Sequence, residues 1–313
     1  MFEIIRIDGL DSGYAGEPLV VALGNFDGVH LAHMQIINAA RSLAAKLSAS
    51  CAVLSFDVHP QIYFAKKPVK LITSEEDRML LMRKAGVKYA VRARFDLLKD
   101  MAPHDFLRLL REKANCVGVA CGYNFRFGKG GTGKSSDIKE FFGENAAIED
   151  RFDIGGVTVC SSGIRDMTEC GDVRNAALLL GRPFFVSGVV RAGRRIGRSI
   201  DFPTANIVID SDMLAPGKGI YATFTEVDGV VFPSVTNYGT NPTVTDLNEL
   251  VLETNIIGFD GDIYGKKIRV YFLEKIREQK KFASLDALKD AISSDRSSAE
   301  RICSEYKGRI DFI

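Results

Sequence analysis

Over its first 180 residues the chain alternates short apolar runs with longer stretches in which apolar residues recur at helical spacing. The apolar runs predict strands at residues 19–23, 51–56, 89–95, 117–121 and 157–160. The longer stretches predict helices at residues 31–46, 74–85 and 103–113. Strands that alternate with helices are typical of a parallel sheet with helices on both faces. This half is therefore predicted to be a Rossmann-like α/β domain.

After residue 183 the pattern changes to short β-rich runs separated by Gly, Pro, Asn and Asp. The runs lie at residues 184–190, 220–226, 230–236, 252–257 and 268–273. They predict a small antiparallel barrel or sandwich, followed by two helices at 285–292 and 297–306. Because 313 residues are too many for one ordinary core, we expect two domains, 1–181 and 182–313.

Composition narrows the functional classes. With 41 basic and 40 acidic residues the formal net charge is +1, which gives no whole-chain attraction to nucleic acid or to an anionic membrane. There is no apolar run of the roughly 20 residues that span a bilayer and no signal-peptide pattern, so we expect a cytoplasmic protein without membrane or nucleic-acid partners. The six cysteines lack metal-ligand spacing, which argues against a zinc site or a disulfide framework.

Two histidines one helical turn apart, His30 and His33, follow the apolar run 19–23. Gly24 and Gly28 indicate a tight turn between the strand and the helix. Both imidazoles would then project at a helix N-terminus, where unpaired N–H groups and the helix dipole favour a phosphate. The alternative is a pair of half-buried histidines that cap an amphipathic helix.

Polar residues follow several predicted strands: His30, His59, Asn124 and Ser161. Ligands of parallel α/β sheets bind beyond the carboxyl ends of the strands. We therefore expect one site at that edge. No histidine lies in the second half of the chain, so acid–base chemistry there would use a carboxylate, lysine, tyrosine or water.

A second glycine-rich segment, residues 128–135, matches the P-loop pattern GxxxxGK[ST]. A P-loop leaves directly from a buried strand, whereas residues 123–127 intervene here after the predicted strand. We therefore favour a glycine-rich surface loop, with the P-loop as the alternative.

Several segments in one order carry a family resemblance. They are residues 24–33, 55–60, 122–128, 161–165, 202–206, 237–243 and 260–265. In this order they resemble the bacterial bifunctional riboflavin kinase/FAD synthetases over almost the whole chain. The resemblance implies a nucleotidylyltransferase domain followed by a barrel-shaped riboflavin kinase domain.

For the first domain the resemblance implies a site that transfers an adenylyl group from ATP to FMN. His30 and His33 would contact the ATP phosphates and act in catalysis, and Asn25 and Asp27 would bind the nucleotide or shape its loop. The remaining nucleotide- and phosphate-binding candidates are Gly24, Asn124, Arg126, Ser161, Ser162 and Arg165. Taken alone, Ser161 and Ser162 also fit an ordinary helix N-cap.

For the second domain the resemblance implies phosphoryl transfer from ATP to riboflavin. Gly193 and Gly197 lie in a basic loop suited to a polyphosphate, although a solvated turn has the same composition. Thr204 and Asn206 would bind Mg²⁺ and ATP phosphates, and Glu253 would be the catalytic base. Taken alone, Glu253 also fits an ordinary surface glutamate on an alternating strand. Arg277 and Phe282 are the flavin-binding candidates in this domain.

The chain departs from the family pattern at Ala32, Val58, Asp201, Asn255 and Gly258. None of these positions carries an assigned catalytic role. The departures leave two alternatives to a bifunctional enzyme: a monofunctional member with one impaired site, and a non-catalytic flavin- or nucleotide-binding regulator. The oligomeric state is left open by the sequence.

Overall fold

A computed structural model describes residues 2–7, 13–56, 69–191, 202–240 and 250–306. The chain divides into two compact units, Met1–Cys160 and Ser161–Ile313. The strands of the first unit are β1 (Glu3–Ile7), β2 (Leu19–Leu23), β3 (Ser50–Phe56), β4 (Tyr89–Ala93), β5 (Cys116–Gly122), β6 (Arg126–Phe127), β7 (Gly133–Lys134), β8 (Ala146–Glu149), β9 (Asp153–Ile154) and β10 (Val157–Thr158). Its helices are α1 (Leu31–Lys46), α2 (Glu75–Lys84), α3 (Phe95–Leu98), α4 (Pro103–Lys113) and α5 (Ser135–Phe142).

The main sheet of the first unit has the strand order β1-β4-β3-β2-β5-β8, and every neighbouring pair is parallel. The central strand β2 is fully buried because both of its faces are covered. Leu19, Val21 and Leu23 share a core with α4 and α5, whereas Val20 and Ala22 share one with α1 and α2. The predicted parallel sheet with helices on both faces is confirmed.

The predicted strand at 157–160 is wrong as a member of this sheet. Residues 157–158 form β10, which pairs antiparallel with β9 in a separate hairpin. Gly155 and Gly156 both have positive φ, the backbone that a tight two-residue hairpin turn requires. The edge strands of the main sheet are instead β1 and β8, which the hydrophobic pattern did not predict.

The P-loop candidate is the loop of a small β6–β7 hairpin. Lys134, the last residue of β7, is the N-cap of α5, and its N–H donates to Asp137 Oδ2 at 2.9 Å. A segment that runs from an antiparallel hairpin into a short helix differs from a P-loop, which leaves a buried strand of the main sheet.

The second unit begins with the helices α6 (Ser161–Glu169) and α7 (Val173–Leu180), and α7 packs on strands of the barrel. The barrel strands are β11 (Phe184–Arg191), β12 (Ala205–Ile207), β13 (Gly219–Val227), β14 (Val230–Thr240), β15 (Leu250–Ile256) and β16 (Lys267–Arg277). They close in the order β11-β12-β15-β14-β13-β16, which confirms a barrel rather than a sandwich. The predicted boundary near residue 182 lies just before the first barrel strand and stays a prediction.

One helix, α8 (Leu285–Glu305), packs on the barrel, so the prediction of two terminal helices is wrong. The gap between the two predicted helices, residues 293–296, contains no Gly or Pro to end a helix. Ser297 Oγ donates to the Ser293 carbonyl at 3.1 Å, and Asp295 is buried in an ion pair. Asp295 therefore ties this part of the helix to the barrel, and the serines around it stay on the exposed side.

Inside the barrel lies a hydrogen-bonded group of hydroxyl side chains, which we call the hydroxyl cluster. Its members, all fully buried, are Thr223, Thr225, Ser234, Thr236 and Thr254. Thr223 Oγ1 lies 2.8 Å from Ser234 Oγ and 2.7 Å from Thr236 Oγ1, which in turn donates to Thr254 Oγ1 at 2.9 Å. The cluster joins β13, β14 and β15.

Candidate active sites in the two units

In the first unit a strained loop connects β2 to α1. Gly28 has φ +83°, and two residues with side chains, Phe26 and Val29, also have positive φ, at 52° and 40°. Positive φ is uncommon for a β-branched residue such as Val29, so the surrounding contacts must hold the loop in place. A rigid loop at the carboxyl end of a central strand is a suitable platform for a ligand.

His30 and His33 lie together at the N-terminus of α1. Their rings stack with centroids 3.5 Å apart and an interplanar angle of 12°. His30 is the N-cap residue, because its Nδ1 accepts a hydrogen bond from the His33 backbone N–H at 3.2 Å. In the neutral ring the proton is then on Nε2, which makes that atom a donor. The predicted placement is confirmed, and His30 also has the capping role that the alternative assigned to it.

Asp27 fastens this loop to residues that are far away in the sequence. Its Oδ1 accepts from the backbone N–H groups of Ile72 at 3.0 Å and Thr73 at 3.2 Å. Gly28 N–H donates in turn to Thr73 Oγ1 at 3.1 Å. Asp27 is only 2% exposed, so of the two roles predicted for it, the contacts support shaping the loop.

Other candidates lie where neighbouring strands of the same sheet end. Gly24 and the exposed Asn25 follow β2, and the exposed Asn124 lies in the turn after β5, the neighbour of β2. Arg126 is exposed on β6. His59 and Val58 lie outside the described residues. The structure therefore brings Gly24, Asn25 and Asn124 to the edge at which α1 begins.

Ser161, Ser162 and Arg165 lie in the first half of α6, which belongs to the second unit. Their predicted role in gripping phosphates of the first site stays a prediction.

In the second unit three polar residues form a cross-strand row on the barrel. Glu253 on β15 is paired in register with Asn206 on β12 and with Asn237 on β14. The flanking residues Leu252 and Thr254 are fully buried, so alternation places Glu253 on the other face of the sheet. We call Asn206, Glu253 and Asn237 the polar row.

Two hydrogen bonds support the polar row from either side. Asn255 Nδ2 donates to the Pro203 carbonyl at 2.7 Å, directly before Thr204. Gln279 Nε2 donates to Asn237 Oδ1 at 2.6 Å. A Cβ on Gly239 would lie only 2.0 Å from Gln279 Oε1, so a larger residue at position 239 would displace the Gln279 amide from Asn237.

Sequence reasoning missed Asn237 and Gln279 as site residues. Residues 237–240 belong to β14. The available signal was that Asn237 begins one of the family-like segments. Its position opposite Glu253 depends on strand register, which the sequence alone does not reveal.

Arg277, a predicted flavin contact, has a structural partner. Its Nε and Nη2 donate to the two carboxylate oxygens of Asp295 at 2.8 and 2.7 Å, which ties the end of β16 to α8. The guanidinium carbon also lies 5.6 Å from the centre of the half-buried Phe282 ring. Arg277 is therefore placed to position Phe282. Gly193, Gly197 and Asp201 lie outside the described residues.

Thr204 and Asn206 fit a magnesium ion. Thr204 offers a hydroxyl and Asn206 an amide oxygen, and Glu253, the cross-strand neighbour of Asn206, lies beside them. Oxygen donors of this kind suit Mg²⁺, which keeps several of its waters.

The first unit is a parallel α/β unit with donors at a helix N-terminus, and the second is a barrel that carries the polar row. Together they are typical of two-domain nucleotide-dependent transferases. Comparison with family models finds the FAD synthetase family over residues 14–163 and the riboflavin kinase family over residues 180–303. The chain belongs to the bifunctional riboflavin kinase/FMN adenylyltransferase family, as the sequence motifs predicted.

Curated relatives match along nearly their full length. The bifunctional riboflavin kinase/FMN adenylyltransferase of Bacillus subtilis (strain 168) is 31% identical over 92% of this chain and 93% of its own. The enzyme of the same name from Escherichia coli (strain K12) is 34% identical over 90% and 92%.

A crystal structure described as a macrolide-efflux protein from Streptococcus pneumoniae superposes with a TM-score of 0.84. It is 27% identical in sequence, and the match covers 95% of this chain and 98% of that chain.

Among the described residues, no helix has the length and apolar character needed to cross a bilayer.

Proposed function

We propose that this chain makes flavin cofactors in two ATP-dependent steps, each in its own unit. The barrel unit phosphorylates riboflavin to FMN, and the α/β unit transfers an adenylyl group from ATP to FMN to give FAD and pyrophosphate. The observation that carries the proposal is that the candidates of each half gather in separate places. His30 and His33 lie at the N-terminus of α1, and Asn206 and Glu253 are neighbours on the barrel.

In the adenylyl transfer, a phosphate oxygen of FMN attacks the α-phosphorus of ATP and pyrophosphate leaves. The chain has to hold the groups in line and stabilise the charge that develops on the phosphate oxygens. Nε2 of His30 and the N–H groups at the start of α1 are donors of the required kind. Asn25, Asn124 and Arg126 would bind phosphate oxygens or the flavin.

In the kinase step, a ribityl hydroxyl of riboflavin attacks the γ-phosphorus of ATP. Glu253 would accept the proton of that hydroxyl. Thr204 and Asn206 would hold Mg²⁺, which neutralises phosphate charge when bound. The hydrogen bond from Asn255 to the Pro203 carbonyl would keep Thr204 in place. Asn255, a departure from the family pattern, would thus have a structural role beside the site.

The decisive experiment incubates the full chain with riboflavin and Mg-ATP and separates the flavin products. We expect FMN first and then FAD. Glu253→Gln should stop FMN formation but leave FAD formation from supplied FMN, and His30→Ala should do the reverse. His104→Ala, which removes an exposed histidine of the same unit, should leave both steps intact.

The remaining outcomes identify the alternatives. FMN without FAD from the unaltered chain would indicate a monofunctional kinase. Flavin binding without any product would indicate a regulator. Loss of both steps in each single variant would contradict two separate sites.

A further inference from the structure

Helix α2 carries a buried cation that the proposed mechanism does not use. Arg78 lies in the second turn of α2 and is only 6% exposed, although the sequence of this helix is highly charged. By contrast Arg83, on the same helix, is exposed. Burial lowers the pKa of Arg78 from its usual value, because removal of water disfavours the charged guanidinium.

The nearby carboxylates do not neutralise Arg78 at close range. Glu75 is paired with Arg92, with Nη2 and Oε1 3.1 Å apart, and Asp27 accepts from the backbone of Ile72 and Thr73. Within the described ranges Arg78 forms no ion pair and no side-chain hydrogen bond; the charges of Asp27 and Glu75 act on it only from a distance. A buried cation of this kind is unfavourable unless an anion completes it.

Arg78 lines a small cavity that opens at the carboxyl ends of β2 and β3. Gly24 and Asn25, which follow β2, form one side of this cavity. Ser55, near the end of β3, lies on another side, and its buried Oγ has no hydrogen-bond partner among the described residues. Two polar side chains, each more than nine-tenths buried and without a hydrogen-bond partner among the described residues, therefore line the same space.

We propose that Arg78 and Ser55 form an anion subsite of the first unit that binds a phosphoryl group of a nucleotide substrate. The subsite borders Gly24 and Asn25 of the loop that leads into His30, which places it beside the proposed adenylyl-transfer centre. A planar guanidinium binds phosphate oxygens through two parallel hydrogen bonds, and a serine hydroxyl adds a third donor. This inference rests on the proposed function. The phosphoryl group belongs to either ATP or FMN, and both sources supply the same chemistry.

The test compares Arg78→Met with Arg83→Met in the full chain. Arg78→Met keeps an unbranched side chain but removes the charge, and it should raise KM for ATP or for FMN by about tenfold or more in FAD formation. The substrate whose KM rises is the one whose phosphate is bound. Arg83→Met should leave both KM values within about twofold of the original, since exposed charges contribute little. Kinase activity of the barrel should be unchanged in both variants.

Melting temperature separates a ligand role from a structural one. Because Arg78 lacks a close partner, Arg78→Met should leave the ligand-free melting temperature unchanged or higher. A lower ligand-free melting temperature with unaltered KM values would overturn the proposal, since Arg78 would then only stabilise the fold. Unaltered KM values for both substrates would overturn it at any melting temperature. Ser55→Ala, a small change in volume, should raise the same KM several-fold if Arg78→Met does not fold.

Inorganic pyrophosphate distinguishes failure of this subsite from failure of the proposed function. If the unaltered chain forms no FAD, pyrophosphate should still raise its melting temperature, and Arg78→Met should abolish that rise. If pyrophosphate has no effect on the unaltered chain, or the same effect on Arg78→Met, there is no anion subsite at Arg78.

Discussion

Asp27 offers the sharpest test of how the nucleotide loop is held. Asp27→Ala removes the acceptor for the N–H groups of Ile72 and Thr73, which are themselves buried at 2% and 3% exposure. Each unsatisfied buried donor costs about 1–3 kcal/mol. Water entering the space of the lost carboxylate would offset part of this, so we expect about 3 kcal/mol of local destabilisation. Asp27→Asn retains an Oδ1 acceptor for both donors and should cost only about 1 kcal/mol.

Hydrogen exchange of the amides of Ile72 and Thr73 measures this locally, without requiring the two units to unfold together. A loss of 3 kcal/mol corresponds to an exchange rate about a hundredfold faster in Asp27→Ala. The KM for ATP should rise in Asp27→Ala and change little in Asp27→Asn. Unchanged exchange in Asp27→Ala would refute the loop-fastening role. If Asp27→Asn instead raised KM for ATP as much as Asp27→Ala, with the amides still protected, Asp27 would contact the nucleotide directly.

Two further predictions concern ion pairs. Asp295→Ala leaves Arg277 without its bidentate partner and should lower the free energy of unfolding in urea by about 3 kcal/mol, the lower end for buried pairs because Arg277 is partly exposed. Asp290→Ala, on the exposed side of the same helix, should leave the free energy of unfolding unchanged. Equal effects of the two variants would contradict the buried pair. Hydrogen bonds from Lys88 and two hydroxyls lower the pKa of Glu17 from 4.5 to about 2, so the carboxylate stabilises the fold above pH 4.5 and this contribution is lost as the pH falls toward 2. Glu17→Gln should flatten that part of the stability–pH curve in acid titrations, and an identical curve would show that the carboxylate contributes nothing.

Local signals in the sequence predicted much of the fold. Helix α1 begins and ends where the pattern placed it, because a turn, a cap and an amphipathic stretch all agree. The barrel strands were found from alternation and turn residues, although β12, with three residues, is too short to give a pattern. The split of the terminal helix was wrong because the helix runs unbroken through residues 293–296, where Asp295 pairs with Arg277 of the barrel.

The parts of the sites that escaped prediction depend on contacts between distant residues. Asp27 meets Ile72 across 45 positions of the chain, and no local pattern indicates that partnership. Arg78 lies in a helix whose sequence suggests full solvation, and only the packing of α2 over the sheet reveals its burial. Family motifs did indicate Glu253, but its pairing with Asn237 follows from register.

The hydroxyl cluster has a consequence for how this barrel tolerates change. Each interior hydroxyl is satisfied by partners on adjacent strands, so sliding β15 by one residue against β14 would turn Thr254 outward and Glu253 inward. The hydroxyl cluster thus fixes the strand register that keeps the polar row together on the other face of the sheet. Redesign of this barrel would have to exchange its interior hydroxyls as a set.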